Sequence, residues 1–155
     1  MTIYCATDLH IEIPFNHLNG ILLENLNLHR AELENANLTA SSLLNSNLRG
    51  AFLYGAKLSG CNLESTNLIV TDLRETDLSY ANLKKCIAIS ALFENANLEN
   101  ANIEGADFNN ANIKGANMNC IGIEKAILKN AIFDNYTIFP DSFNAEKYGA
   151  ILQNL

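Results

Sequence analysis

Three histidines, four cysteines and a scatter of carboxylates are the residues of this chain equipped for chemistry. His10, His17 and His29 all lie near the start, with Asp8 and Glu12 flanking the first of them. Asp8 and His10 offer an oxygen and a nitrogen to a metal, but the spacing matches no known ligand set, and a polar cap is the plainer reading. Cys5, Cys61, Cys86 and Cys120 stand singly, with no CxxC pair for zinc or dithiol work. Serines are plentiful, yet none stands in a GxSxG elbow, and no P-loop, GxGxxG or HExxH occurs. The sequence assigns no catalytic, cofactor-binding or metal residue. It reads as a non-enzymatic chain with no cofactor.

Composition narrows the field. The 155 residues suffice for one domain with a real core. Apolar residues make up 48%, but aromatics only 8%, and tryptophan is missing, so the core must be built from small and medium aliphatic groups. A net charge of -7 argues against direct binding of nucleic acid. It leaves room for basic partners, or for imitation of DNA towards a DNA-binding protein. No lysine or arginine precedes Arg30, and residues 1–20 hold no long apolar run, which argues against a secretory or transit leader. No stretch reaches the roughly 18 apolar residues of a membrane span. The expectation is a cytoplasmic protein with reduced thiols and no membrane contact.

Any surface site must be positioned by a repeat of period five. The blocks AELEN, ANLTA, SSLLN, SNLRG and AFLYG run on from Ala31, and ALFEN, ANLEN, ANIEG and ADFNN from Ala91, each with an apolar residue at its centre. The register reads from Ile21 to Pro140 as about 24 blocks without insertion or deletion, and Ile13 and Leu18 are in phase with it. On an α-helix, positions five apart are rotated by about 140°, and the leucines would wander round the surface. On a flat strand they would alternate between faces. A single inward direction every fifth residue requires a bend in each block, and bends of one sense coil the chain into stacked parallel strands. Two residues before each centre sits a small residue, as at Ala31, Ser41, Cys61, Thr66, Thr71 and Cys86, so this second inward slot has little room. One residue before the centre Asn and Asp dominate, suggesting stacked amide ladders. Two residues after it Gly and Asn recur, as at Asn35, Gly55, Gly60 and Asn95, which predicts a corner with positive φ. Pro14 and Pro140 fall outside or at the rim of the array, as ladder strands require.

These A(D/N)LxX blocks resemble the pentapeptide-repeat superfamily over at least residues 21–140. The resemblance implies an all-β fold, a right-handed quadrilateral parallel β-helix with four blocks per coil. Six coils at about 4.8 Å each give a rod of roughly 29 Å. On that basis the single domain divides into an N-terminal cap and irregular first repeats at 1–20, uninterrupted repeats at 21–140, and a C-terminal capping helix at 141–155. Asp141 or Ser142 would cap that helix, with Phe143, Tyr148, Ile151 and Leu152 covering the last coil. The bulky Ile121 and Tyr136 appear two residues before their centres as that end is approached. The closing FPDSF segment resembles cyanobacterial members. The only Ala centre, Ala88, falls beside the Phe108 centre, a compensation of volumes.

A rod filled in this way lacks the concave pocket that catalysis uses, so function is expected on its flat sides. One side departs from the polar pattern with Ile69, Val70, Ile87 and Ile89, and Ile127 further along. A clustered apolar patch marks an interaction site, against the plainer reading that β-branched residues stabilise strands. The next side carries Phe52, Tyr54, Leu92 and Ile132, a weaker version of the same signal. Another outward column reads Glu24, Leu44, Glu64, Lys84, Glu104 and Glu124, a mostly acidic stripe whose plain reading is a solvated face. The favoured function is a protein-binding scaffold or regulator of unassigned partner. The alternative is an acidic DNA mimic binding a type II topoisomerase, as in the quinolone-resistance members of the family, some of which pair through their C-terminal ends. A monomer and a C-terminal-end dimer are both left open.

Overall fold

The structure, a computed structural model, describes residues 2–5, 10–12 and 17–154. Its body is a parallel β-helix in which every fifth residue turns a corner. From Gly20 to Gly115 each corner residue has positive φ, between 51° at Val70 and 71° at Gly105. From residue 30 to 115 each corner is closed by the central carbonyl accepting from the N–H three residues on, as Leu28 accepts from Ala31 at 3.0 Å; at Gly20 and Asn25 the following N–H donates instead to Ser41 and Ser46 Oγ. Four such corners complete a coil. Residues twenty apart then form parallel bridges along four ladders, which begin at Leu22, Asn27, Glu32 and Asn37. Between coils the central N–H donates forward and the preceding N–H donates back: Leu68 to Ile87 O at 2.7 Å, and Ile87 to Thr66 O at 3.0 Å.

Both inward positions are occupied as their types demand. The central leucines from Leu38 to Leu83 are buried almost completely. The small residues two before them are buried too, apart from the half-buried Ala36, and their hydroxyls are satisfied within the core. Ser46 Oγ donates to Leu23 O at 2.6 Å and Thr66 Oγ1 to Leu43 O at 2.9 Å, each reaching the coil above. Such bonds let polar groups occupy a core that would otherwise reject them. Ala88 lies above Phe108, and Phe108 fills the space while meeting Phe93 at 5.2 Å between ring centroids.

Asn and Asp before the centre act chiefly through a local bond. Their Oδ1 accepts from the backbone N–H two residues on, as Asn67 does from Ile69 at 3.0 Å and Asp107 from Asn109 at 2.9 Å. Amide ladders are fewer, for example Asn47 Nδ2 to Asn27 Oδ1 at 2.9 Å. An Asx-type turn explains why Asp replaces Asn freely here, since Asp accepts the local bond but cannot donate along a ladder.

The expected unbroken register from 21 to 140 does not hold. Asn102 pairs with Ile121, nineteen residues on, and Asn117 with Ile138, twenty-one on. The cause is side-chain size. Ile121 and Tyr136 are too large for the small slot as the coils before them form it, and lie 57% and 81% exposed; Ile21 and Leu26 hold the same position half-buried, without a slip, in the first coil, where no coil of the array lies above them. Cys120 and Thr137 turn inward in their place, Cys120 buried and Thr137 donating to Ile113 O. A 3-10 turn, Ile123–Lys125, takes up the difference after the first slip. Gly122 precedes it because a Cβ there would lie 2.9 Å from Glu104 Cβ.

The ends also differ from expectation. No α-helix forms over the described part of 141–155. A 3-10 turn, Ala145–Tyr148, is capped not by Asp141 or Ser142 but by Asn144, whose Oδ1 accepts from Lys147 N–H at 3.1 Å. The chain then returns as strand. Numbering the strands in order, β1 is Thr2–Tyr4, β2 His10–Glu12, β3 Ile132–Phe133 and β4 Ile151–Leu152, and β4 pairs in parallel with β3. Ala145, Ala150 and the half-buried Phe143 close the last coil, while Tyr148, Ile151 and Leu152 stay substantially exposed. At the other end β1 and β2 form an antiparallel pair, and Tyr4 O accepts from Glu32 N–H at 2.9 Å. Ile3 and Leu18 are buried there, Ile11 is half-buried, and Ile13, Pro14 and Phe15 lie outside the described residues.

Two outcomes test this core. Leu68→Asp places a charge in a fully buried slot and should abolish cooperative folding, whereas Leu78→Ala should cost about 2–5 kcal/mol; denaturant titration distinguishes them. Burial pushes the Cys61, Cys86 and Cys120 thiols up to about 12. In native protein Ellman's reagent should therefore react with Cys5 alone, which is only half-buried, and with all four after unfolding. Rapid native labelling of Cys86 would mean that the core opens.

A candidate protein-interaction face

The apolar residues singled out from the sequence fall on the side defined by the ladder Asn27, Asn47, Asn67, Ile87, Asp107, Ile127. Ile69 and Ile89 occupy the next position outward on adjacent coils, and Val70 N–H donates to Ile89 O at 3.0 Å. The structure therefore brings Ile69, Val70, Ile87 and Ile89 together. It does not bring Ile127 to them, because Asp107 intervenes on the ladder. Nor are all of them equally open: Ile69 and Ile89 are half-buried against each other's coils, while Val70 and Ile87 are 49% and 40% exposed.

Val70 is the unusual member. It holds a corner with φ 51°, and among the described residues it is the sole β-branched side chain at positive φ. Asn, Ser, Ala, Gly, the aromatic Tyr80 and the long side chains of Arg30, Glu75 and Lys85 fill the other corners of the coil. Any Cβ crowds the carbonyl in this region, at about 1–2 kcal/mol, and a β-branched residue is an outlier there. Ile87 also departs from its ladder, where Asn or Asp caps the turn at the four neighbouring positions 27, 47, 67 and 107. An isoleucine side chain cannot accept that bond.

The weaker signal on the next side is present but dispersed. Phe52 and Tyr54 are 38% and 37% exposed, with Arg74 5.7 Å from the Tyr54 ring centre, while Leu92 and Ile132 are half-buried. That side carries the chain's acid: Glu32, Glu34, Asp72, Glu75, Glu94 and Asp134 against Arg74 and Lys114. Sequence reasoning missed it, although counting charge by position modulo twenty would have found it. Arg74 forks onto Asp72 at 2.8 and 2.6 Å and holds that carboxyl below its usual range.

The acidic stripe on the first ladder is not continuous. Ser42 donates to Glu24, and Asn82 to Glu64 at 3.1 Å. Glu104 is bound by Lys125 at 2.6 Å and Lys84 at 3.4 Å, which together hold its carboxyl low. The register slip puts Gly122 rather than Glu124 beneath Glu104. Of the histidine cluster, His10 Nε2 stands 3.9 Å from Glu12, and Asp8 lies outside the described residues. Among the described residues no group of three or more His, Cys, Asp or Glu gathers as a metal site. No helix among them is long and apolar enough to cross a membrane.

Known proteins supply the family. A protein from the Arabidopsis thaliana thylakoid lumen is 31% identical, covering 68% of this chain and 71% of its own, with a TM-score of 0.46. HetL, involved in heterocyst differentiation regulation in the cyanobacterium Nostoc, is 25% identical over 87% of this chain and 71% of its own, with a TM-score of 0.53. QnrB1, a plasmid-mediated fluoroquinolone resistance protein, is 19% identical over 83% of this chain and 67% of its own, with a TM-score of 0.47. No curated protein sequence matches the chain. The pentapeptide repeats family matches in 8 copies over residues 17–53, 53–87 and 91–130. With its five-residue corners and twenty-residue coils, the chain belongs to the pentapeptide repeat family.

Proposed function

We propose that this protein is a non-enzymatic binding rod, a right-handed quadrilateral β-helix that engages a protein partner through the side bearing Ile69, Val70, Ile87 and Ile89. The observation that carries the reading is Val70. A strained branched residue persists at a corner where Asn or Gly would relieve the strain, and it stands beside the densest outward apolar group. Strain of this kind collects at functional sites. The likeness to HetL, at 25% identity and a TM-score of 0.53, supports a regulatory setting. The four free cysteines support a reducing, cytoplasmic one. The exposed edge of β4, with Ile151 and Leu152 at 49% and 41%, supports a C-terminal-end dimer as the alternative to a monomer.

A second reading, a DNA mimic towards a type II topoisomerase, draws support from the net charge of -7 and the acidic side next to the patch. Against it stand the two lysines on Glu104, which neutralise the stripe where a phosphate row would continue.

Val70→Asn should raise stability by about 1 kcal/mol, since Asn tolerates the corner, while weakening partner binding; a lower melting temperature would show the corner to be unstrained. Ile69→Glu with Ile89→Glu should lower the melting temperature, since both side chains are half-buried on adjacent coils, yet still fold cooperatively and lose the partner captured by wild type from lysate of the source cell. Capture of gyrase by both proteins equally would instead favour the DNA mimic.

A further inference from the structure

The side that carries the patch is also the one positive side of an acidic protein. Its blocks hold Arg30, Arg49 and Lys129 against Asp107 alone, a formal +2, where the whole chain is -7. The next side, by contrast, is formally -4, from the six carboxylates and two cations named above. The cations also differ in how they are engaged. Arg74 is committed to Asp72, and Lys84 and Lys125 to Glu104. Among the described residues no ion pair engages Arg30, Arg49 or Lys129, nor Lys57, Lys85, Lys114 or Lys147 on other sides, so what sets this side apart is its net sign.

Position joins the two arginines to the patch. Gly50 N–H donates to Ile69 O at 2.9 Å, which sets Arg49 on the coil directly above Ile69. Arg30 and Val70 flank Gly50 along the corner column: a Cβ on Gly50 would lie 3.4 Å from Arg30 Cγ and 4.0 Å from Val70 Cγ2. The missing side chain leaves a notch with a guanidinium stem on one wall and a branched methyl on the other. Charges separated by more than about 8 Å are largely screened at physiological ionic strength. Carboxylates stand close as well, Glu32 two residues past Arg30 and Asp72 two past Val70, with Asp72 taken by Arg74; an approaching group on the patch side of the notch meets Arg30 and Arg49. Guanidinium forks suit carboxylates, and branched apolar side chains suit Ile69, Val70, Ile87 and Ile89.

We infer that this side docks an acidic–apolar polypeptide segment of a partner protein, its carboxylates on Arg30 and Arg49 and its aliphatic or aromatic side chains on the Ile and Val patch. The inference rests on the binding-rod reading and adds to it the chemistry of the partner. It also assigns Arg30 and Arg49 a role that the apolar pattern alone does not reveal. Charge complementarity of this kind fixes orientation and rejects wrong partners.

The test selects a phage-displayed random peptide library on the full chain and measures synthetic copies of the enriched peptides by calorimetry. Wild type should enrich sequences with Asp or Glu next to Leu, Ile or Phe. Affinity should fall at least about tenfold for Arg30→Glu with Arg49→Glu, and fall between about 50 and 500 mM salt. Glu75 already holds an equivalent corner at φ 56°, so Arg30→Glu keeps the backbone, and unchanged melting of the variant confirms folding. Enriched peptides that are neutral or basic, yet lost with Ile69→Glu and Ile89→Glu, would overturn the charge assignment and leave the interface standing. Peptides that bind every variant equally, or no enrichment over an unrelated protein, would overturn both. Wild-type self-association in sedimentation, abolished by the arginine reversal, would seat a second copy's acidic side on this face and overturn the partner-segment proposal.

Discussion

A left-handed corner at every fifth residue is the constraint on which the rest of this molecule depends. Once φ is positive at residues 20, 25, 30 and onward to 115, each block can send only two side chains inward, and the coil must close after four blocks. The cross-section is then fixed by backbone hydrogen bonds of 2.7–3.1 Å between coils, not by the side chains. This inverts the usual relation of core to backbone. In most domains elements shift by fractions of an ångström to suit the core; here the core must suit a frame that does not widen.

The consequences appear where the sequence tests the frame. Ala88 is accepted because Phe108 sits below it, and Phe93 shares the space. Ile121 and Tyr136 are not accepted in the small slot, and the chain slips by one residue instead of enlarging the coil. A slip costs a distorted corner and a 3-10 turn, whereas a forced isoleucine would break the ladders on both neighbouring coils. Both slips lie in the last two coils, where fewer coils remain beyond them to be disturbed.

Much of this was legible in the sequence, and what was not shares a cause. The period, the inward leucines, the small slot and the positive-φ corner follow from residue types at fixed spacing, because each reflects a constraint acting within one block. The role of Asn before the centre was legible in part: ladder bonds between coils exist, as Asn47 to Asn27 and Asn82 to Asn62, but the bond to the N–H two residues on is commoner, and the free exchange of Asn with Asp at 72, 77 and 107 was its clue. The slips, the displacement of Glu124 from its column and the replacement of a closing helix by a turn and strand were not legible. Each depends on how a block meets the coil beside it, which a period cannot express. At the candidate face the sequence located the apolar residues and missed the arginines, since Arg30 and Arg49 are unremarkable until the coil places them above Val70 and Ile69.

A solenoid of this kind is a sum of coils, each held mainly by its two neighbours. That arrangement bears on where function can be carried. A strained corner weakens one coil and is supported by the intact coils on either side, so a single Val70 is tolerated at a cost the array absorbs. The same reasoning limits how many such residues can stand together. Two strained corners on adjacent coils would weaken one interface from both sides, and the corners next to Val70 on its column are Gly50 and Ser90, neither of them branched. The patch is thus built from one strained residue and three whose cost is lower: Ile69 and Ile89, half-buried where strand packing repays them, and Ile87, which gives up an Asx bond. Gly50 serves the face twice in this scheme, relieving the corner above Val70 and opening the notch that brings Arg30 to it. Along this column the corners alternate, a relaxed corner above and below the one residue that departs from the rule.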